Sequence, residues 1–294
     1  MEHAQTKTSL PARRRHIRKI SVFPLINGLL FTIICLLILV PLWKVLVDSF
    51  DLTTGYGMKL LPDRFGWDGY ETVLTNPSLV TPLINSVITT VSGTFLGLLL
   101  STLGAYVLIQ FDMPGRGLFA GLLLFTMIFS GGMIPSYIVM RKLGLTNTLW
   151  SVILLPAINV YNLVLMRNFF EGIPQSLFES ATLDGCTPMQ TFLRIALPLS
   201  KAALASIGLM FAVAYWNDYT NYKLYITTDQ SLYNFQMKLR SIIMGSDLPA
   251  ANGGAAENTV TNAAVIVAIL PFMILYPFLQ KYFVKGINIG AVKE

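Results

Sequence analysis

The sequence predicts an all-α integral membrane protein with six spanning helices, and three observations carry that prediction. The 294 residues are 54% hydrophobic and 12% charged, with a mean hydropathy of +0.61. Soluble domains carry about twice that share of charge. The apolar residues also gather into charge-free runs: residues 20–43, 117–140 and 143–166 are 24 long, and residues 258–280 are 23 long. A bilayer core about 30 Å thick needs roughly 20 helical residues. Lastly, the basic residues are unevenly placed. Six helices put both termini on one side, and that side carries 13 Lys and Arg against seven on the other, with Lys44 counted for neither. The richer side is the cytoplasmic one, and it includes the loop at 171–200.

Taken in order, residues 1–19 are a basic tail with Arg13, Arg14, Arg15, Arg18 and Lys19 at its inner end. A single membrane domain is expected over 20–294. Its first run is too long for a signal peptide, whose apolar region is roughly 7–15 residues, and reads as a retained helix over 22–48. A loop at 49–82 follows on the outer side, with 65–70 expected as a short interfacial helix or hairpin. Residues 72–111 are free of charge, but Pro77 and Pro82 interrupt the start, so helix two is expected over 85–111. Gly93, Gly97 and Ser101 lie four apart on one face, which lets a neighbouring helix approach closely.

Helix three, 117–140, is interrupted by Ser130-Gly131-Gly132-Met133-Ile134-Pro135. Such a break is tolerated at membrane depth only where protein or a watery cavity satisfies the freed backbone. Helix four, 148–170, carries Pro156, Asn159 and Asn162 and is expected to face the bundle interior. Helix five begins at Lys201, and its apolar run of 202–217 ends at Asp218. The segment at 227–257 returns to the outer side, where Ala250-Ala251-Asn252-Gly253-Gly254-Ala255-Ala256 reads as flexible. Helix six contains Pro271 and Pro277.

Several chemistries have no support. The histidines, His3 and His16, both lie in the tail, and Cys35 and Cys186 are too far apart in the topology to pair. Metal or hydrolytic catalysis has no converging groups, and no G-x-x-x-x-G-K-[ST] loop is present. No nucleic-acid motif accompanies the +6 net charge. The chain reads as a non-catalytic subunit, so nucleotide energy would have to come from a partner.

The loop at 171–200 holds the pattern E-x-A-x3-G-x9-I-x-L-P in Glu179, Ala181, Gly185, Ile195, Leu197 and Pro198. Its charge pattern alone describes an ordinary amphipathic loop. The full spacing resembles the cytoplasmic signature of bacterial ABC import permeases, departing at Ser180 and Cys186, where that family usually has Ala. Ala202 stands where many sugar permeases have a second Pro. Locally, Pro174 favours helix initiation, Ser176 is expected to cap a helix through Leu183, and Gly185 to permit a turn where a side chain would clash. Thr187-Pro188 starts a second piece, and Phe192, Ile195 and Leu199 form a stripe expected to tie it to the bundle.

The resemblance extends over 82–290 and includes Trp216-Asn217-Asp218, which is similar to the W-N-[DE] motif of sugar permeases, with the alginate-import permeases among the nearest. It implies the type I ABC importer fold in the bacterial inner membrane. Glu179, Ser180, Ala181, Asp184, Gly185, Ile195, Leu197 and Pro198 would then couple to an ATPase. It further implies a second homologous permease, two ATPase subunits that hold ATP and magnesium, and an extracytoplasmic sugar-binding protein. The substrate class would be an oligosaccharide or polysaccharide fragment. Tyr215, Trp216, Asn217, Asp218 and Tyr219 mix stacking surface with hydrogen-bonding groups, and with Asn159 and Asn162 they are candidates for the translocation pathway. A packing cluster with an interfacial aromatic belt accounts for the same residues. An ion-gradient-driven transporter is the alternative function, and it would require buried carboxylates, of which Asp218 is the clear intramembrane candidate.

Overall fold

The computed structural model describes residues 22–53, 57–110, 112–245 and 256–290. The basic tail and nearly all of the glycine-rich stretch expected to be flexible lie outside them. The chain divides into two compact units, Met1–Lys44 and Val45–Glu294. The described part of the first is most of helix α1 (Val22–Asp48), whose side chains from Phe23 to Trp43 are exposed and almost all apolar. A helix that is apolar all round is stable only in lipid or against other apolar helices.

In the second unit, a small lobe precedes the next long helix. Asp51 and Phe65 form an isolated antiparallel bridge, and α2 (Asp68–Thr75) follows directly. Residues 68–70 thus open the short helix expected over 65–70, and Phe65 bridges back to Asp51 with no hairpin formed within that stretch. The rings of Phe50, Phe65, Trp67 and Tyr70 stack and tilt on one another with centroids 4.9–5.9 Å apart. The carboxylate of Asp51, 3% exposed, accepts hydrogen bonds from the Lys59 ammonium at 2.7 Å, the Thr53 hydroxyl at 2.7 Å and the Thr53 amide at 3.0 Å.

Helix α3 (Pro77–Ile109) starts eight residues earlier than its prolines suggest. Asn76 caps it by accepting from the Ser78 amide, and Pro77 occupies a first-turn position where no N–H is needed. Pro82 lies only one turn further in, so it removes a single backbone bond without ending the helix. The glycine stripe works as expected. A methyl group built on Gly93 would come within 2.4 Å of Cζ of Tyr215, and one on Gly97 within 2.7 Å of Cε1 of Phe211.

The three middle spans are bent pairs. Helices α4 (Arg116–Ile128) and α5 (Met133–Lys142) meet at 114°, and α6 (Leu149–Ala157) and α7 (Val160–Glu171) at 43°. The Gly131-Gly132 break is therefore a reversal of direction and not a kink in one straight span. Gly132 takes a positive φ of 85° there. Asn159 caps α7 through the Asn162 amide, which lets the backbone stop after Pro156 and restart. After α8 (Gln175–Leu183) and α9 (Pro188–Thr191), a π-turn at Phe192–Ala196 and the short α10 (Leu197–Leu199) lead to α11 (Lys201–Trp216) at a bend of 81°. The remaining helices are α12 (Thr220–Tyr225), α13 (Phe235–Ile243) and α14 (Glu257–Gly290), which runs unbroken past Pro271 and Pro277. Among the described residues, three helices are long and apolar enough to cross a membrane, and the count reaches six if each bent pair is one span.

Helix α3 is the axis of the second unit, packed along α6, α7 and α11. At one end Tyr106 joins Phe170 and Phe192, and its hydroxyl donates to the Pro188 carbonyl at 3.0 Å. Toward the other end, Asn85 Nδ2 donates to the carbonyls of Ser231 (2.7 Å) and Tyr233 (3.0 Å). The Phe235 amide donates to Ser86 Oγ at 2.8 Å, and the Tyr222 hydroxyl to Thr89 Oγ1 at 2.9 Å.

Candidate functional site

The loop between α7 and α11 folds as two short helices around a fixed turn. Its first helix starts after Pro174, and no side chain caps it. Ser176 is not the cap that the sequence suggested, because it already lies within α8, where its carbonyl accepts from the Ser180 hydroxyl. The helix end is a Schellman motif. The Cys186 amide donates to the Ala181 carbonyl at 2.9 Å and the Gly185 amide to that of Thr182 at 3.0 Å. Gly185 closes the motif with φ of 76°. Nothing lies within 4 Å of a methyl group built on it, so glycine is needed there for the left-handed backbone and not for space. The second piece opens with a capping box: Thr187 accepts from the Gln190 amide, and the Gln190 side chain accepts from the Thr187 amide.

The expected apolar stripe is rotated. Pro198 has no N–H to bond the carbonyl four residues back, and the turn before it widens until the Leu197 amide reaches the Phe192 carbonyl. Phe192 and Ala196 are consequently buried, Ile195 and Leu197 half-buried, and Leu199 exposed. Ala181 is also buried, whereas Glu179, Ser180, Asp184, Gly185 and Pro198 are exposed. Of the eight proposed coupling residues, Ala181, Ile195 and Leu197 are thus buried or half-buried and the other five are exposed, with Gly185 and Pro198 fixing the backbone. Around them, Leu177, Leu183, Met189, Leu193 and Leu199 are also exposed, Leu183 to 89%. A cavity of about 660 Å³ runs beside Glu179 and Phe178 to Arg116 and Glu171.

The sequence did not single out the charges that brace this cavity. Glu171 Oε1 lies 2.8 Å from Arg167 Nη2 and 3.7 Å from Arg116 Nη2, which holds the start of α4 against the end of α7. The spacing of four between Arg167 and Glu171 was a readable signal; Arg116 and the bond from Tyr106 to Pro188 join residues too distant in sequence to be read.

The pathway candidates do not converge. Tyr215 is buried and donates to the Ile153 carbonyl at 2.7 Å, and buried Trp216 donates to that of Ala268 at 2.9 Å. Asn217 ends α11, is exposed and accepts from Gln236 at 3.3 Å beside a groove of about 490 Å³. Asp218 lies past the helix end, and both of its oxygens accept from Asn221, at 2.9 and 3.0 Å. Tyr219 faces a different cavity. Asn162 is buried, and Asn159 is exposed at the break between α6 and α7.

The model of the family described as "Binding-protein-dependent transport system inner membrane component" matches residues 116–289, which include this loop. The chain belongs to that family. It is thus an inner-membrane transport permease, with several apolar helices in the type I ABC importer fold. It is 39% identical over 281 residues to Protein LplC of Bacillus subtilis (strain 168), covering 92% of this chain and 95% of that protein. It is 40% identical over 275 residues to the Polygalacturonan/rhamnogalacturonan transport system permease protein YtcP of the same organism, covering 90% and 95%. Among solved structures it resembles a chain from a bacterial ABC transporter involved in the import of the acidic polysaccharide alginate. There the TM-score is 0.83 with 31% identity, covering 93% of this chain and 100% of the other.

Proposed function

We propose that this permease is half of the translocation pathway of an ATP-driven importer for oligosaccharides or polysaccharide fragments. A second homologous permease completes the bundle, two ATPase subunits bind ATP and magnesium, and an extracytoplasmic binding protein delivers the sugar. The chain itself performs no chemistry and changes which side the pathway faces. The names of the relatives support the substrate class, and the loop at 171–200 supports the coupling role. In this reading both termini and this loop are cytoplasmic, which the uneven distribution of Lys and Arg supports.

The observation that carries the coupling role is the exposed apolar set around Glu179 on a turn whose backbone is fixed. Five large apolar side chains left uncovered on one loop are a surface made for a partner. The Schellman turn and the capping box hold them in place, so little ordering entropy is lost on docking. Asn159 and Asn217 are the exposed pathway candidates, Asp218 and Tyr219 are partly exposed, and Tyr215, Trp216 and Asn162 are buried.

Leu183→Asp should abolish co-purification of the ATPase and sugar uptake, and Glu179→Arg should reduce both at least several-fold. Both sites are exposed, so insertion and helical content should be unchanged. Full ATPase association by both variants would remove the loop from the interface.

A further inference from the structure

Beyond the coupling loop, the opposite end of α11 leads to a second concave feature. A cavity of about 540 Å³ lies between the α11–α12 junction and α13, lined by Tyr219, Gln230, Tyr233, Arg240 and Ser241 among others. That volume falls within the range of about 300–1,000 Å³ typical of small-molecule sites. The Arg240 guanidinium sits over the Tyr219 ring, 4.4 Å from its centroid, and the Lys223 ammonium is 5.6 Å from the same centroid. One ring therefore gathers two cations.

Of the described acids, the two nearest Lys223 in sequence, Asp218 and Asp229, pair with neither cation. Asp218 is engaged by Asn221, and Asp229 accepts from the amide and hydroxyl of Ser231. Among the described residues no carboxylate pairs with Arg240 or Lys223. Ser241 supplies an independent observation, because its hydroxyl is buried and has no hydrogen-bond partner. A buried hydroxyl without a partner is costly, and a bound ligand is one way to satisfy it.

We propose that this cavity takes a carboxylate-bearing sugar ring, a hexuronate unit of the oligosaccharide. The inference rests on the importer reading above and narrows its substrate class. Arg240 offers a planar fork that matches a carboxylate, and Lys223 adds charge beside it. Tyr233 supplies a flat face for a pyranose, Tyr219 gathers the cations beside it, and Gln230 supplies a group for its hydroxyls. A neutral sugar would offer these two cations no charged partner. An acid on the binding protein is a weaker match, because a concave site of this volume favours a small ring over a protein surface.

The test is uptake by membrane vesicles carrying the complete importer, using trigalacturonate, an alginate trisaccharide and the methyl-esterified form of each. The wild type should import at least one acidic trisaccharide. Arg240→Gln should reduce that uptake about tenfold, the scale of one charge-assisted hydrogen-bond pair, and should leave any uptake of the ester unchanged. Arg240→Lys, which keeps the charge but not the fork, should restore only part of it, and Ser241→Ala should weaken it with the helix intact. Equal loss for acid and ester, or no loss, would overturn the proposal. So would a rise, with or without sugar, in the concentration of binding protein needed to stimulate ATP hydrolysis, which would assign Arg240 to protein docking. A wild type that imports only the esters overturns this inference and spares the importer reading; one that imports no oligosaccharide of any kind overturns both.

Discussion

Gly93 and Gly121 are both helical glycines in an apolar segment, yet their surroundings demand opposite outcomes. A methyl group at Gly93 would meet the Tyr215 ring at 2.4 Å, and that ring is fixed by its bond to the Ile153 carbonyl. Gly93→Ala should therefore destabilise the protein by about 1–3 kcal/mol, the usual cost of overpacking. At Gly121 nothing lies within 4 Å, so alanine should be neutral or stabilise by up to about 1 kcal/mol through helix propensity. Melting temperatures in detergent decide the matter, and equal values for the two variants would contradict the close contact of α3 with α11. The spacing of four made the glycine stripe legible in the sequence. Gly185 was legible for an incomplete reason, since sequence spacing locates a turn but does not say whether space or backbone angle selects the glycine. Tyr215 and Trp216 were misleading for a related reason: stacking surface and hydrogen-bonding groups look alike whether their partner is a sugar or a carbonyl of a neighbouring helix.

At the scale of elements, the charge-free runs located the helices but prolines did not set their ends reliably. Pro82 was read as a stop because the pattern does not show that Asn76 and Pro77 had already started a helix one turn earlier. The π-turn at Phe192–Ala196 was invisible for a similar reason, since an α-helical period of 3.6 was assumed across a proline. The lobe around Asp51 was read only as a loop with a short helix or hairpin, and its charge cluster gives it a pH dependence. Burial alone would raise the Asp51 pKa, but the bonds from Lys59 and Thr53 outweigh it and hold the group well below its ordinary value of 3.8. The carboxylate's contribution is thus complete above that value and fades as the pH falls toward the lower, folded one. Lys59 shifts upward from 10.5, chiefly through its hydrogen bond to Asp51, so its share is complete below 10.5 and lost only as the pH rises through that raised value. Between about pH 5 and 8 the lobe should be insensitive to pH. Hydrogen exchange reads this at the amides of Leu52 and Gly66, which donate to the carbonyls of Arg64 and Phe50. Once intrinsic exchange is accounted for, protection should be flat over that window and fall several-fold in Asp51→Asn. A wild type that loses protection steadily between pH 8 and 5 would show that another group controls the lobe.

For the whole molecule, the two native cysteines give a direct reading of orientation. Cys186 is half-buried beside the Schellman turn, and Cys35 lies in α1. A Cys35→Ser variant leaves Cys186 as the one thiol in the sequence. An impermeant maleimide should label it in inside-out vesicles, fail to do so in intact cells, and react several-fold more slowly once the ATPases are bound. Labelling from the outer side would reverse the topology inferred from the Lys and Arg distribution. The contacts of α3 carry a mechanical consequence. Its 33 residues form one rod about 50 Å long. Near one end Tyr106 grips the backbone at Pro188 on the coupling loop; near the other, Asn85, Ser86 and Thr89 grip the strip of chain from Tyr222 to Phe235. Rigid helices do not absorb a tilt along their length, so leverage applied at Pro188 has two outlets: it breaks one of these grips, or it swings the far strip, and the basic cavity next to it, as the connecting rod of an engine moves the part at its other end.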